Sequence, residues 1–254
     1  MSLPPPLDPY NALFIDLDGT LLEIAPRPEL VRVPEGLAEL LARLAAQRGG
    51  ALAVISGRRI DDFDRYLHPW RGAASGVHGA ERRDDAGRTV ASGDSAQDRQ
   101  AAAALERLRP VLRKLGEQTP GILVEDKGRT LAVHYRQAPE REDEVRAAVA
   151  NLLRQEAAAL KVIDGKMVLE LKPAHHDKGR AIAAFMAEAP FRGRVPVFVG
   201  DDTTDEDGFA EVNRRGGVSI RVGPPNAATA AVYSLPSVPA VLDWLRGDSP
   251  RRSA

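Results

Sequence analysis

Two aspartates, Asp16 and Asp18, stand at the end of the apolar run Ala12-Leu13-Phe14-Ile15, with only Leu17 between them. If that run is a strand, alternation turns both carboxylates to one side while Leu17 points to the other. Like charges so placed repel unless a cation joins them or one stays protonated. A second acidic group follows the apolar run Val197-Phe198-Val199 and contains Asp201, Asp202 and Asp205. Asp16, Asp18, Asp201 and Asp205 together offer oxygen donors suited to Mg2+, a hard ion that usually keeps several waters and a substrate phosphate in its shell. Calcium in an EF-hand loop does not fit: with Gly208 as the loop glycine, Thr203 comes first and Arg214 last, where carboxylates are required.

A third apolar run, Leu52 to Ile55, ends in Ser56-Gly57-Arg58, a hydroxyl and a guanidinium able to hold phosphate oxygens. The fourth element is Lys178. Only six of the 35 basic residues are lysine, so arginine supplies nearly every generic positive charge and a lysine carries more information. Lys178 falls in the first turn of an expected helix, where the macrodipole disfavours a cation unless an anion lies close by. A phosphate or the acidic cluster would be that anion.

These residues need a scaffold that brings strand ends together. The first third reads strand, helix, strand, with Leu37, Leu40, Leu41 and Leu44 forming a helical stripe. The last third repeats the alternation, through helices near 177–189 and 205–215, strands near 195–200 and 217–223, and a closing helix near 238–246. Such alternation implies a parallel sheet covered on both faces, a doubly wound α/β core whose ligands bind beyond the carboxyl ends of the strands. The middle differs: two helices, near 96–117 and 139–159, are each followed by a hairpin, turning at Lys127-Gly128 and at Asp164-Gly165. The expected organisation is a core of 10–83 and 173–246, an inserted α/β cap domain over 84–172, and loose tails at 1–9 and 247–254.

Bulk properties narrow the function classes. With 43% hydrophobic residues in 254, the chain can bury a substantial core. The net charge of -1 leaves no electrostatic footprint for nucleic acid or an anionic membrane, so no nucleic-acid or membrane partner is expected. No apolar stretch reaches the roughly 20 residues of a membrane span. The opening Met-Ser-Leu-Pro-Pro-Pro lacks the basic and apolar regions of a signal peptide. The absence of cysteine excludes thiol chemistry and fits a reducing compartment, so a cytoplasmic location is the expectation. A monomer is favoured, on no specific sequence signal.

In chain order, the segments DLDGT, SGR, DKG and GDDTTDED resemble the four motifs of the haloacid dehalogenase phosphatase superfamily, with an insert placed as in its large-cap members. The forms SGVHGAE, EDKGRTLAVHYR, LELKP and GDDTTDED are similar to those of trehalose-6-phosphate phosphatases. The resemblance covers about residues 10 to 246. It implies a Mg2+-dependent phosphomonoesterase with Asp16 as nucleophile and Asp18 as general acid and then base. It further implies that the backbone carbonyl of Asp18 and the carboxylate of Asp201 ligate the metal, that Asp205 and Asp202 shape its surroundings, and that Ser56 and Lys178 hold the phosphoryl oxygens. Thr20, Gly57, Arg58 and His78 would complete the substrate site of the core, with Arg58 near enough to Ser56 to compete with Lys178 for phosphate.

Sugar specificity is expected from the insert. Glu125, Lys127, His134, Arg136, Glu170 and Lys172 flank its hairpins and pair carboxylates with cations, which suits a partner rich in hydroxyl groups. The resemblance implies that the small-molecule partner is a sugar phosphate. Trehalose 6-phosphate leads, and sucrose phosphate, a glucosyl- or mannosyl-glycerate phosphate, a phosphomutase reaction and a non-catalytic sensor are the alternatives. Adjacent histidines are expected to point apart, so His175 and His176 are discounted as ligands, and Asp177 is expected to cap the helix that follows.

Overall fold

The computed structural model describes residues 2–25, 30–90, 95–154, 156–165, 167–224 and 228–247. They form two compact units, one of Met1–Val90 with Asp177–Ala254 and one of Ala91–His176.

The first unit is built on β1 (Asn11–Ile15), β2 (Leu52–Ile55), β3 (Ala73–Gly76), β4 (Glu81–Arg83) and β5 (Thr89–Val90), then, after the second unit, β10 (Val195–Gly200), β11 (Val218–Val222) and β12 (Tyr233–Leu235). Their spatial order is β12-β11-β10-β1-β2-β3-β4-β5, parallel from β12 to β3 and antiparallel at β4 and β5. Alternation along β1 explains the two covering layers. Leu13 and Ile15 enter one cluster with the leucine stripe of α1 (Leu37–Gln47), Phe63 of α2 (Ile60–Leu67) and Val241 and Leu245 of α7 (Val238–Arg246). Ala12 and Phe14 enter the other, with Ile182 and Phe185 of α5 (Lys178–Met186) and Phe209 and Val212 of α6 (Glu206–Arg214). A strand buried on both sides needs a continuous apolar run, and β1, β2 and β10 have one.

The second unit carries α3 (Ala96–Gln118), β6 (Leu123–Asp126), β7 (Leu131–His134), α4 (Glu142–Leu153), β8 (Leu160–Gly165) and β9 (Val168–Pro173). Its sheet is antiparallel, ordered β6-β7-β9-β8. Leu131, Val133, Leu169 and Leu171 turn to one face and are buried with Leu105, Leu108 and Leu112 of α3 and Val145 and Val149 of α4. Residues one step out of phase therefore share the opposite face.

Several details differ from the sequence expectations. The second unit begins at Ala91 rather than 84, because β4 and β5 pair onto the sheet of the first unit, and it ends at His176 rather than 172. The second helix of the insert spans Glu142–Leu153 rather than 139–159, with a short 3-10 turn at Pro139–Arg141 before it. The lead at 2–9 is held rather than loose: Ser2 bridges to Tyr233, and the indole N–H of Trp244 donates to the Pro5 carbonyl at 2.9 Å. The tail beyond Gly247 lies outside the described residues. No helix among the described residues is long and apolar enough to cross a membrane.

Candidate active site

Strand register sets the distances at the centre of the first unit. Ile15 of β1 pairs with Val199 of β10, and the Asp16 N–H donates to the Val199 carbonyl at 2.9 Å. Two neighbouring parallel strands thus end together, and the residues that follow them, Asp16 on one side and Asp201 on the other, emerge at the same edge. Asp16, Asp201 and Asp205 each bring a carboxylate oxygen within 4.8 Å of the other two. Gly19 permits this approach. It turns the chain at φ +77°, and a Cβ there would lie 2.1 Å from Oδ2 of Asp201.

Lys178 opens α5 with Asp177 as its N-cap, the Asp177 carboxylate accepting the Arg180 N–H at 2.7 Å as expected. The lysine ammonium is buried and donates to Oδ1 of Asp16 at 2.6 Å and to Oδ1 of Asp205 at 2.5 Å. Burial alone would lower its pKa, but the two carboxylates outweigh that and push it up. Oδ2 of Asp205 accepts the N–H groups of Asp201 and Asp202, at 2.9 Å each, so both Asp205 oxygens are engaged. Asp205 fixes the loop and the lysine, and the carboxylates left with spare capacity are Asp16 and Asp201. Burial raises the pKa of Asp16 well above the ordinary carboxylate value, with Lys178 opposing and Asp205 and Asp201 adding to it. Burial and then Asp205 push Asp201 up to about 7. Three carboxylates against one ammonium leave negative charge in a dry place. That donor set fits a hard divalent cation, which would replace the protons those raised pKa values retain. Asp202 is exposed and spends its carboxylate on the Thr203 N–H at 2.6 Å.

Arg58 does not join Lys178. Its Nε and Nη2 donate to the two oxygens of Asp18, each at 2.7 Å, and its guanidinium lies 5.3 Å over the Tyr66 ring. The Ser56 hydroxyl, buried, accepts the Arg58 N–H at 3.1 Å. His78 is clipped to this loop, its N–H donating to the Ser56 carbonyl at 3.1 Å, as the Val77 N–H does to the Arg58 carbonyl at 2.9 Å. Both Val77 (φ 49°) and His78 (φ 53°) are left-handed, a strained choice for a β-branched residue that these bonds hold in place. The His78 ring lies against Gly57, where a Cβ would come within 2.6 Å of it. Thr20 is fully buried, and its hydroxyl has no hydrogen-bond partner among the described residues.

In the second unit, register puts Glu125, Ala132 and Glu170 side by side across β6, β7 and β9, with His134 and Lys172 two residues further along their strands. Four of the six residues expected to read the sugar, Glu125, His134, Glu170 and Lys172, therefore share the face opposite the apolar core. Glu125 pairs with the His134 ring at 3.0 Å, and Glu170 receives Lys127 at 3.3 Å and the Thr130 hydroxyl at 2.8 Å. Arg136 is exposed beyond the end of β7. The sequence reading missed Tyr66 and Thr130, each of which supports a charged neighbour. Tyr66 lies near the end of α2 and Arg58 in the loop that precedes it, so no helical spacing links them and the contact follows from the course of that loop.

A family model described as trehalose-phosphatase matches residues 14–239. The chain is 46% identical over 241 residues to a trehalose-6-phosphate phosphatase of Escherichia coli K12, covering 95% of this chain and 87% of the relative. It is 43% identical over 230 residues to a probable trehalose-phosphate phosphatase of Sinorhizobium fredii, covering 91% and 84%. Among solved structures, a trehalose-6-phosphate phosphatase related protein superposes with a TM-score of 0.73 at 25% identity, covering 92% of this chain and 95% of that one. The C-terminal domain of a Candida albicans trehalose-6-phosphate phosphatase superposes with a TM-score of 0.76 at 22% identity, covering 96% and 97%, and supports the fold alone.

Proposed function

The chain belongs to the trehalose-phosphatase family, and from that premise we propose that it hydrolyses trehalose 6-phosphate to trehalose and phosphate through an acyl phosphate (aspartyl phosphate) of Asp16. The observation that carries this reading is the buried Asp16–Lys178–Asp205 chain beside Asp201, at the shared ends of β1 and β10. A carboxylate so immersed among like charges suits a nucleophile served by a cation.

Asp16 attacks phosphorus in line as the bond from phosphorus to the sugar oxygen breaks, and Asp18 gives that oxygen its proton. Asp18 then takes a proton from water, which attacks the same phosphorus and frees Asp16. Lys178 holds the Asp16 carboxylate through Oδ1 and, with Ser56, offers donors to the phosphoryl oxygens. Mg2+, held by the carboxylates of Asp16 and Asp201 and the Asp18 carbonyl, supplies positive charge against the phosphate when bound. Asp205, by gripping Lys178 and two backbone N–H groups, keeps these ligands in position.

The second unit serves as the cap, and its polar face, Glu125, His134, Glu170 and Lys172, with Lys127 and Arg136 nearby, reads the sugar. Each member of a paired set can exchange its partner for a sugar hydroxyl without leaving a buried group unsatisfied.

Phosphate release from a panel of esters with and without Mg2+ tests the reading. Trehalose 6-phosphate should be turned over in preference to glucose 6-phosphate and sucrose 6-phosphate, and only with the cation. Equal rates across the panel would overturn the substrate assignment, and no release from any ester would overturn the enzymatic one.

A further inference from the structure

A second cluster of ligating side chains lies wholly within the second unit, apart from the carboxylate cluster of the first. His175 and His176 follow β9, and Asp98 is in the first turn of α3. The sequence expectation that the two histidines point apart is corrected here. Their rings lie 4.2 Å apart, and both Nε2 atoms converge on the same oxygen, Oδ1 of Asp98, at 2.9 Å from His175 and 2.6 Å from His176. Neighbouring residues diverge in a strand, but β9 ends at Pro173, and the turn that follows brings the two side chains round together.

The carboxylate is aimed by its surroundings. Ser95, the N-cap of α3, donates its hydroxyl to Oδ2 of Asp98 at 2.6 Å, and the Asp98 N–H returns to the Ser95 hydroxyl at 3.0 Å. That capping box fixes the side chain and leaves Oδ1 to the imidazoles. All three residues are half-buried, and Asp98 and His176 line a cavity of about 290 Å³ together with Arg99, Leu105, Gly128 and Arg129.

We propose that Asp98, His175 and His176 form a transition-metal site, suited to Zn2+ and closed to Mg2+. Two imidazole nitrogens and one carboxylate oxygen within 4.8 Å of one another are the donors of an open zinc-type centre, with a further position for water on the cavity side. Mixed nitrogen and oxygen donors select such ions, whereas the all-carboxylate cluster of the first unit selects a hard cation. On binding, the ion replaces the protons that now join the rings to Oδ1. Asp98 lies where the chain has just entered the second unit and the histidines where it leaves, so the ion ties the two chain ends of that unit together. The inference is independent of the phosphatase reading.

The test is equilibrium binding of Zn2+ to the full chain with Mg2+ in excess, paired with the visible spectrum of the Co2+-loaded protein. One Zn2+ per chain is expected, with an intense tetrahedral-type Co2+ band. Both should weaken at least tenfold in H175Q, in H176Q and in D98N, which keeps the capping geometry, and both should persist in D201N. Circular dichroism establishes that the variants are folded. Failure of the wild type to bind Zn2+ under excess Mg2+ would overturn the proposal. So would binding that survives all three substitutions, or binding lost in D201N alone.

Discussion

Arg58 holds Asp18 by a two-pronged contact, Nε and Nη2 each 2.7 Å from a different carboxylate oxygen. In the proposed mechanism Asp18 hands a proton to the departing sugar oxygen, so this contact aims it and it has to turn from the guanidinium as it acts. Arg58→Ala should lower kcat for trehalose 6-phosphate by about 10- to 100-fold, the scale on which a misplaced catalytic group is felt. KM should change little. Arg58→Lys should not restore the rate, because an ammonium is a point charge and cannot make the fork. With p-nitrophenyl phosphate, whose leaving group needs no proton, the loss should be much smaller. A rise in KM with kcat unchanged would instead make Arg58 a phosphate ligand.

Lys178 is the counter-charge of the site. Lys178→Met removes it while filling most of its volume, leaving Asp16 and Asp205 buried without their cation. Breaking a buried ion pair from one side costs roughly 3–5 kcal/mol, so urea unfolding of the metal-free variant should show a loss of that order and Mg2+ should recover part of it. An unchanged midpoint would mean that the two carboxylates are not charged in the folded protein.

Much of this was legible in the sequence for a definite reason. β1, β2 and β10 are buried on both faces and so must be apolar throughout, which made Asp16, Ser56 and Asp201 conspicuous at their ends. β4, Glu-Arg-Arg, and the edge strand β5, Thr-Val, are short and rich in charged or exposed side chains, and no periodicity marks them. The Arg58–Asp18 pair spans 40 residues and depends on how β1 and β2 lie side by side. The convergence of His175 and His176 depends on a turn whose course neither residue type encodes. Pairings within the second unit, such as Lys127 with Glu170, became specific only once register set which residues share a face.

Acidity and metal should be linked. Asp16 and Asp201 have folded pKa values above the ordinary carboxylate value, Asp201 at about 7. A group raised on folding stabilises fully below its unfolded pKa, and that contribution is lost as pH rises through the folded one. The metal-free protein should therefore lose stability from this site between pH values of about 4 and 7. Mg2+ competes with those protons, so the rise in Tm at a fixed Mg2+ concentration should grow over the same interval and level off above it. A Mg2+ shift independent of pH would contradict the linkage.

Gly19 offers a test of geometry without touching a charge. Gly19→Ala forces a left-handed φ of +77° on a residue with a Cβ, at roughly 1–2 kcal/mol, and drives that Cβ into Asp201. Turnover should fall at least tenfold and the Mg2+-dependent rise in Tm should shrink, with far-UV circular dichroism unchanged. Full activity in this variant would show that the Asp201 carboxylate is not required where it stands.

The most direct measurement is acid quenching during turnover of trehalose 6-phosphate, followed by borohydride reduction and mass spectrometry of the peptide containing Asp16. Residue 16 alone should be reduced to homoserine, through its acyl phosphate, and Asp16→Asn should be folded and slower by on the order of 10⁴-fold or more. A phosphoryl group trapped on another residue, or an Asp16→Asn variant that still turns over at the wild-type rate, would contradict it.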